Sequence, residues 1–163
     1  MIELRMLTSD DWPLWRELRL AALAEAPYAF GSRLADWQGE GDREERWRSR
    51  LEIPGALDLV AFVDGVPAGM ATGAPGDGYA ELLSMWVGPD ARGRGVGARL
   101  IGEVARWAAE RGFPVLRLAV MPRNPHAIAL YERAGFTDTG EPGDPLPDGT
   151  GHEVLMARPL SAG

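Results

Sequence analysis

A glycine-rich turn between an apolar strand and an amphipathic helix constrains this chain more than any other feature. The strand ends at Val87, the turn follows, and the helix continues to about Glu110. Small residues at Gly93, Gly95 and Gly97 let backbone N–H groups approach an anion closely, and the helix presents the positive end of its dipole at the same place. The pattern therefore predicts a phosphate-binding turn.

The charge of the chain supports a compact anion as the partner of this turn. Arg92, Arg94 and Arg99 surround the glycines, whereas the formal net charge of the whole chain is -7. Nucleic-acid affinity comes largely from neutralising many phosphates, so an acidic chain argues against that partner. A pyrophosphate matches three clustered arginines better than a long polyanion does.

Other nucleotide-binding turns fit less well. Gly93, Gly95 and Ala98 have the G-x-G-x-x-A spacing of a dinucleotide-binding turn, but that motif follows a first strand and needs an acid about 20 residues on. Here the next strand, Val115 to Val120, contains no acid. A triphosphate-binding loop is excluded because the chain has no Gly-Lys pair. An ordinary surface loop before a capped helix remains open at this point.

Length and composition set further bounds. The 163 residues suit one domain spanning 1–163, and the absence of cysteine excludes disulfides, thiolate metal sites and a thiol nucleophile. His126 and His152 have no second ligand at metal-binding spacing, so we expect no metal. The start of the chain has no basic and apolar leader and no apolar run of about 18 residues, which favours a cytoplasmic protein without a membrane partner.

The elements follow the order β-α-α-β-β-β-α-β-α-β-β. Asp64-Gly65 predicts a hairpin turn between two apolar runs, and a helical crossover makes the fourth and fifth strands parallel. We therefore expect an α/β (α+β) chain with a mixed, mostly antiparallel sheet. Asp42 to Leu51 is predicted to be a short charged helix with a solvated face. Phe136 to Thr139 is predicted to be a short strand, and the proline- and glycine-rich segment that follows it, through Gly151, a surface loop.

Two motifs carry a resemblance to a known family. The first is Arg92-x-x-Gly95-x-Gly97. The second is the strand Leu116 to Val120, followed by Asn124, Ala127, Tyr131 and Gly135-Phe136. In this order, the two motifs resemble those of the GNAT N-acetyltransferase superfamily, whose glycine motif is Q/R-x-x-G-x-G/A. The resemblance covers Leu57 to Leu160 well and the first 51 residues only by their strand-helix-helix pattern.

The resemblance implies a fold and an activity. The fold would be a sheet of about seven strands, with parallel strands 4 and 5 splayed apart, flanked by about four helices. The activity would be transfer of an acetyl group from acetyl-CoA to a primary amine of a small molecule or a peptide. The alternative is a non-catalytic acyl-CoA-binding or regulatory module. Some relatives dimerise, so a homodimer through exposed edge strands is a further expectation.

The resemblance also implies roles for individual residues. Glu81 would act as general base, because an alkyl ammonium must lose its proton before attack, and Tyr131 would be the proton donor to the departing thiolate. Since the chain has no Cys and no Ser-His-Asp arrangement, we expect direct attack in a ternary complex. Tyr28, Phe30 and Trp37 are candidates for lining the acceptor pocket. The predicted cofactor-binding residues are Met85, Trp86, Val87, Arg92, Gly93, Arg94, Gly95, Val96, Gly97, Ala98, Asn124, Ala127 and Tyr131.

Overall fold

Over the residues that the structure describes, a seven-stranded mixed sheet and four α-helices form the fold, as predicted. The computed structural model describes residues 1–25, 37–146 and 149–160, and the sheet has the order β1-β2-β3-β4-β5-β7-β6. Along the chain the elements are β1 (Ile2–Met6), α1 (Trp12–Glu25), α2 (Glu44–Arg50), β2 (Leu57–Val63), β3 (Val66–Pro75), β4 (Ala80–Val87), α3 (Val96–Glu110), β5 (Val115–Val120), α4 (Pro125–Arg133), β6 (Thr137–Pro145) and β7 (His152–Pro159).

The sheet opens between its two parallel strands. Neighbouring strands pair antiparallel except β4 and β5, whose parallel pairing joins Ala80 to Leu116 and Glu81 to Arg117. Beyond Glu81, the described residues of β4 and β5 no longer pair. The predicted splay is thereby confirmed, and it leaves an opening through the middle of the sheet.

The two faces of the sheet carry separate hydrophobic cores, because side chains alternate along a strand. Leu59 and Ala61 of β2 pack in the core that includes α3 and Tyr131 of α4. Val60, the residue between them, packs instead with residues of α1 and α2. Helices α1 and α2 therefore cover one face, and α3 and α4 cover the other.

Helix α3 is held by the apolar stripe that its sequence predicts. Val96, Leu100, Ile101 and Val104 are each at most 1% exposed. Complete burial of such a side chain contributes roughly 1.5–3 kcal/mol relative to leaving it in water. Packing of this stripe fixes the start of α3, and with it the glycine-rich turn, against the end of β4.

A salt bridge fixes α2 against α1. Asp42, just before α2, accepts hydrogen bonds from Arg16 of α1 at 2.7 and 2.5 Å and from the indole of Trp47 at 2.8 Å. These hydrogen bonds lower the pKa of Asp42 to about 2. The two helices thus form one layer over their face of the sheet.

Two details of the sequence prediction are wrong. The short strand predicted over Phe136 to Thr139 is present, but strand β6 continues to Pro145 and pairs with β7 through two register shifts, where a loop was predicted. Pro142 and Pro145 are tolerated there because β6 is an edge strand, in which a missing N–H need not disrupt a ladder. Helix α2 is also not simply solvated: Trp47 is fully buried and the Arg50 side chain is 18% exposed.

Candidate active site

Strand β4 carries a bulge next to the opening in the sheet. Met70 of β3 pairs with Trp86, but Thr72 pairs with Leu83, so β4 has one residue more than β3 over this stretch. Ser84 lies in the bulge with φ of 52°, a left-handed conformation that is uncommon for a residue other than glycine. The bulge turns the backbone of β4 toward the gap between β4 and β5.

A buried polar network holds this bulge. Arg50 of α2 donates hydrogen bonds from Nη2 to Ser84 Oγ at 3.0 Å and to Thr72 Oγ1 at 3.1 Å, and its Nη1 lies 3.3 Å from Asp58 Oδ1. Thr72 in turn donates to Asp58 Oδ1 at 2.7 Å. Asp58 and Thr72 are 4% and 0% exposed. Arg50 therefore connects α2 directly to the bulged residue.

A cavity of about 300 Å³ lies at the opening between β4 and β5. Five residues named from the sequence, Glu81, Met85, Asn124, Ala127 and Tyr131, line it. The complete lining is Arg19, Arg50, Glu81, Leu82, Leu83, Ser84, Met85, Leu118, Ala119, Val120, Met121, Asn124, Ala127, Tyr131 and Glu153. The cavity thus receives residues from α4 on one face of the sheet and from α1 and α2 on the other.

Three charged residues of this cavity were missed by sequence reasoning. Arg19 and Arg50 come from α1 and α2, and Glu153 comes from β7. Glu153 had a usable signal, because it lies at the start of strand β7, which pairs with the strand of the second motif, Val120 lying opposite Val154. No sequence signal distinguished Arg19 or Arg50, since arginines on amphipathic helices are ordinarily solvated.

Tyr131 lines the cavity from helix α4. It is 7% exposed and packs edge-on against Phe136 with 5.9 Å between ring centroids. Burial raises its pKa above the usual value for a phenol, so the hydroxyl stays protonated at neutral pH. Asn124 caps the same helix by accepting the Ala127 N–H at 3.3 Å. The cap fixes the end of α4 that faces the cavity.

Burial shifts the pKa values of three charged groups that line the cavity. Burial and repulsion from Arg50 lower the pKa of Arg19 to about 10. Burial also lowers the pKa of Arg50, although the charge of Asp58 opposes this shift. The pKa of Glu153 is raised, first by burial and then by repulsion from Asp144. Perturbed groups that converge on one cavity are a common feature of functional sites.

The glycine-rich turn has the backbone that an anion site requires. Gly93 and Gly95 have φ of 81° and 82°, and nothing lies within 4 Å of a Cβ built on either. The N–H of Arg99 is bonded to the Gly95 carbonyl at 3.1 Å, so the amides of Val96, Gly97 and Ala98 belong to the first turn of α3, where N–H groups have no partner within the helix. This open, positively polarised turn lies outside the cavity wall, beside Met85.

Gly97 differs from the other two glycines because it is required for packing. A Cβ at this position would come within 3.0 Å of Leu130 Cδ2 and 3.4 Å of Met85 Cε. Its missing side chain thus lets α3, α4 and the bulged part of β4 meet. Tight packing at this point links the glycine-rich turn to the cavity.

The remaining predicted cofactor residues surround the turn or support it. Arg92 donates from Nε to the Val87 carbonyl at 3.1 Å and forms an ion pair with Glu25 of α1. Trp86 packs against the core beneath α1 and α2. Arg94 is exposed at the turn. Arg92, Trp86 and Val87 therefore have structural contacts of their own, and none of the three lines the cavity.

Among the described residues, Trp37 and His126 lie away from the cavity. Tyr28 and Phe30 lie outside the described residues. Trp37 stacks on Trp47, with 4.5 Å between ring centroids, and does not line the cavity. His126 is exposed. Within residues 1–25, 37–146 and 149–160, no group of three His, Asp or Glu side chains is arranged to hold a metal ion, and no helix is long and apolar enough to cross a membrane.

Comparison with known proteins shows the family to which the chain belongs. The family model described as acetyltransferase (GNAT) family matches residues 12–136. The mycothiol acetyltransferase of Clavibacter sepedonicus is 33% identical over 140 residues, which cover 84% of this chain and 43% of that protein. The chain therefore spans less than half the length of that relative. Since the family model covers most of the chain, this protein belongs to the acetyltransferase (GNAT) family.

Solved structures extend the likeness to the whole fold. The ribosomal-protein-S18-alanine N-acetyltransferase from Escherichia coli is 25% identical, with a TM-score of 0.72 over 99% of this chain and 95% of that one. The PaiA N-acetyltransferase from Thermoplasma acidophilum, solved in complex with coenzyme A, has a TM-score of 0.77 over 98% of this chain and 99% of that one at 22% identity. At that identity the second likeness concerns the fold alone.

Proposed function

We propose that this protein transfers an acetyl group from acetyl-CoA to an amine, by direct attack within a ternary complex. One observation carries the proposal: the cavity at the opening between β4 and β5 is lined from both faces of the sheet. A donor entering beside α3 and α4 and an acceptor entering beneath α1 and α2 would meet there. Such a meeting point suits a reaction between two bound substrates.

The residues present fit acetyl-CoA. The open amides of the glycine-rich turn, from Arg94 to Ala98, would hold its pyrophosphate, since an N-terminal helical turn with free N–H groups favours an anion. Met85, Asn124 and Ala127 would line the path of its pantetheine into the cavity. When bound, acetyl-CoA supplies a thioester carbonyl carbon for attack and a sulfur that leaves.

The bulge of β4 would stabilise the negative charge that develops on the carbonyl oxygen. Preorganised backbone N–H groups next to a reacting carbonyl are an effective source of such stabilisation. Arg50 holds Ser84 in its left-handed conformation through the 3.0 Å hydrogen bond, so the direction of the backbone at Met85 does not depend on the ligand. Arg50 would therefore act as a positioning residue.

Two carboxylates are candidates for removing the proton from the attacking amine. Glu81 was proposed from the sequence, and Glu153 shares the cavity with it. The raised pKa of Glu153 brings it closer to the range of an effective general base. We keep both, because the pH dependence of variants separates them.

Tyr131 would act as the proton donor to the sulfur that leaves. The C–S bond breaks as the N–C bond forms, and the phenol donates a hydrogen bond and then its proton to the departing sulfur. Burial raises the pKa of Tyr131, so the phenol holds its proton until the sulfur leaves. The carboxylate releases the amine proton to solvent, and Tyr131 regains one from solvent. The products are an acetylated amine and a thiol.

Similarity to relatives supports an amine as acceptor. One relative, 37% identical over 84 residues, acetylates an alanine of ribosomal protein bS18, and another, 40% identical over 60 residues, is a thialysine N-epsilon-acetyltransferase. Neither name fixes the acceptor of this protein.

The test is calorimetric titration with acetyl-CoA, with NAD as control, followed by thiol release on a panel of amines. Saturable acetyl-CoA binding and amine-dependent thiol release would support the proposal. Binding without turnover on any amine would favour the non-catalytic module, and absence of binding would refute the proposed donor. Parallel initial-rate patterns, which indicate an acyl-enzyme, would refute direct attack.

A further inference from the structure

Four charged side chains of the cavity share the face of the sheet that α1 and α2 cover. On β4, Ala80 and Leu82 belong to the core under α3, so Glu81 between them points to the opposite face. On β7, Val154 and Met156 pack in that same core, which places Glu153 on the opposite face as well. The charged end of the cavity is therefore the end that faces α1 and α2.

The guanidinium groups of Arg19 and Arg50 lie at this charged end of the cavity. Arg19 and Arg50 both line the cavity, and they are close enough for Arg50 to lower the pKa of Arg19. Asp58 balances the charge of Arg50 from within the sheet. A carboxylate in the cavity would lie between two arginines and reduce their repulsion, and guanidinium groups hold carboxylates in a well-defined planar geometry.

Two carboxylates, Glu81 and Glu153, face the same space. Carboxylates attract an ammonium group, and either can accept its proton. The charged end of the cavity thus offers positive groups and negative groups to one ligand. A purely cationic acceptor such as a polyamine would meet repulsion from the arginines, and a peptide N-terminus would bring no carboxylate for them.

From this arrangement we propose that the acceptor is an amine that also carries a carboxylate, namely a free amino acid, whose carboxylate binds at Arg19 and Arg50 and whose amino group lies toward Glu81 and Glu153. The inference rests on the proposed acetyltransferase function and narrows its substrate class. A cavity of about 300 Å³ is in the range of pockets for small molecules.

The test compares matched acceptors. Free amino acids, the corresponding amino-acid amides and the corresponding decarboxylated amines are each supplied with acetyl-CoA, and thiol release is followed. We expect kcat/KM to be at least about tenfold higher for an amino acid than for its amide, because one hydrogen-bonded ion pair is worth about that factor or more. Equal values for acids and amides would overturn the amino-acid proposal while leaving the acetyltransferase function intact.

A variant of Arg19 tests whether the two arginines cause the preference for an amino acid over its amide. Arg19→Gln should raise KM for the amino acid about tenfold or more and remove the preference over the amide, with acetyl-CoA binding unchanged. Arg106→Gln is the control, because Arg106 is 62% exposed on α3 and pairs with Glu103 and Glu110 on the same helix. A preference that persists in Arg19→Gln would overturn the assignment.

A second measurement covers the case in which no compound turns over. Each amino acid and its amide are added to the protein saturated with acetyl-CoA, and thermal unfolding is followed. A larger stabilisation by an amino acid than by its amide would support the proposal, and equal or absent stabilisation across the panel would overturn it. Failure of acetyl-CoA itself to bind, measured separately, would count against the proposed function.

Discussion

Replacing Arg50 by methionine should strongly destabilise the protein. The substitution keeps much of the apolar stem but leaves Asp58, with a side chain 3% exposed, bonded only to Thr72 among the contacts described. Removing one partner of a buried ion pair costs about 3–5 kcal/mol, because the remaining charge is uncompensated. In a chain of this size each kcal/mol of lost stability lowers Tm by about 2–4 °C, so we expect Tm to fall by roughly 6–20 °C.

The assay is reversible unfolding in urea, with thermal unfolding as a second readout. Arg48→Met is the matched control on the same helix, since Arg48 pairs at the surface with Glu44 and Asp10, and exposed pairs contribute little. The double variant Arg50→Met with Asp58→Asn should recover much of the loss, because it removes the buried charge together with its partner.

Two results would contradict this reasoning. If Arg50→Met unfolds within about 1 kcal/mol of the wild type, the network is not the buried ion pair described above. If the double variant is no more stable than the single one, the cost does not come from an uncompensated Asp58. The double variant also tests Arg50 as a positioning residue: its kcat should stay low after stability is recovered, because Ser84 still lacks its hydrogen bond.

Four further predictions concern the site. Tyr131→Phe should lower kcat by about 10²- to 10⁴-fold while calorimetry shows unchanged acetyl-CoA affinity, and unchanged turnover would remove Tyr131 as the acid. Gly95→Val should weaken acetyl-CoA binding because a β-branched residue is strained at a φ of 82°, and wild-type affinity would refute the anion site. Glu81→Gln should slow turnover near neutral pH and spare it at high pH, where the amine is already neutral, so an unchanged pH profile would leave Glu153 as the base. Glu153→Gln should raise Tm at neutral pH but not below about pH 4. The pKa of Glu153 is raised in the folded protein, so its ionisation lowers stability only once the pH rises above the ordinary pKa of Glu. A Tm difference that does not depend on pH would show that ionisation of Glu153 is not its cause.

The acetyltransferase fold could be predicted from local sequence patterns to a large extent. Strand β5 and helix α3 agree with their expected bounds within a residue, because each depends on an apolar periodicity that its own residues carry. The positive φ at Gly93 and Gly95 likewise follows from the glycines themselves. Strand β6 was predicted too short because its prolines signal a loop, and only the position at the sheet edge makes them acceptable in a strand.

The sequence by itself determined the order of elements, the glycine-rich turn, and the helix that carries Tyr131, since each is encoded within a short stretch of chain. The tertiary structure alone decided which charges share the cavity. Arg19, Arg50 and Glu153 come from α1, α2 and β7, and no local pattern relates elements so far apart in the chain. Their approach follows from the packing of both helices on one face and from the pairing of β7 with β5, which places their side chains at the opening in the sheet.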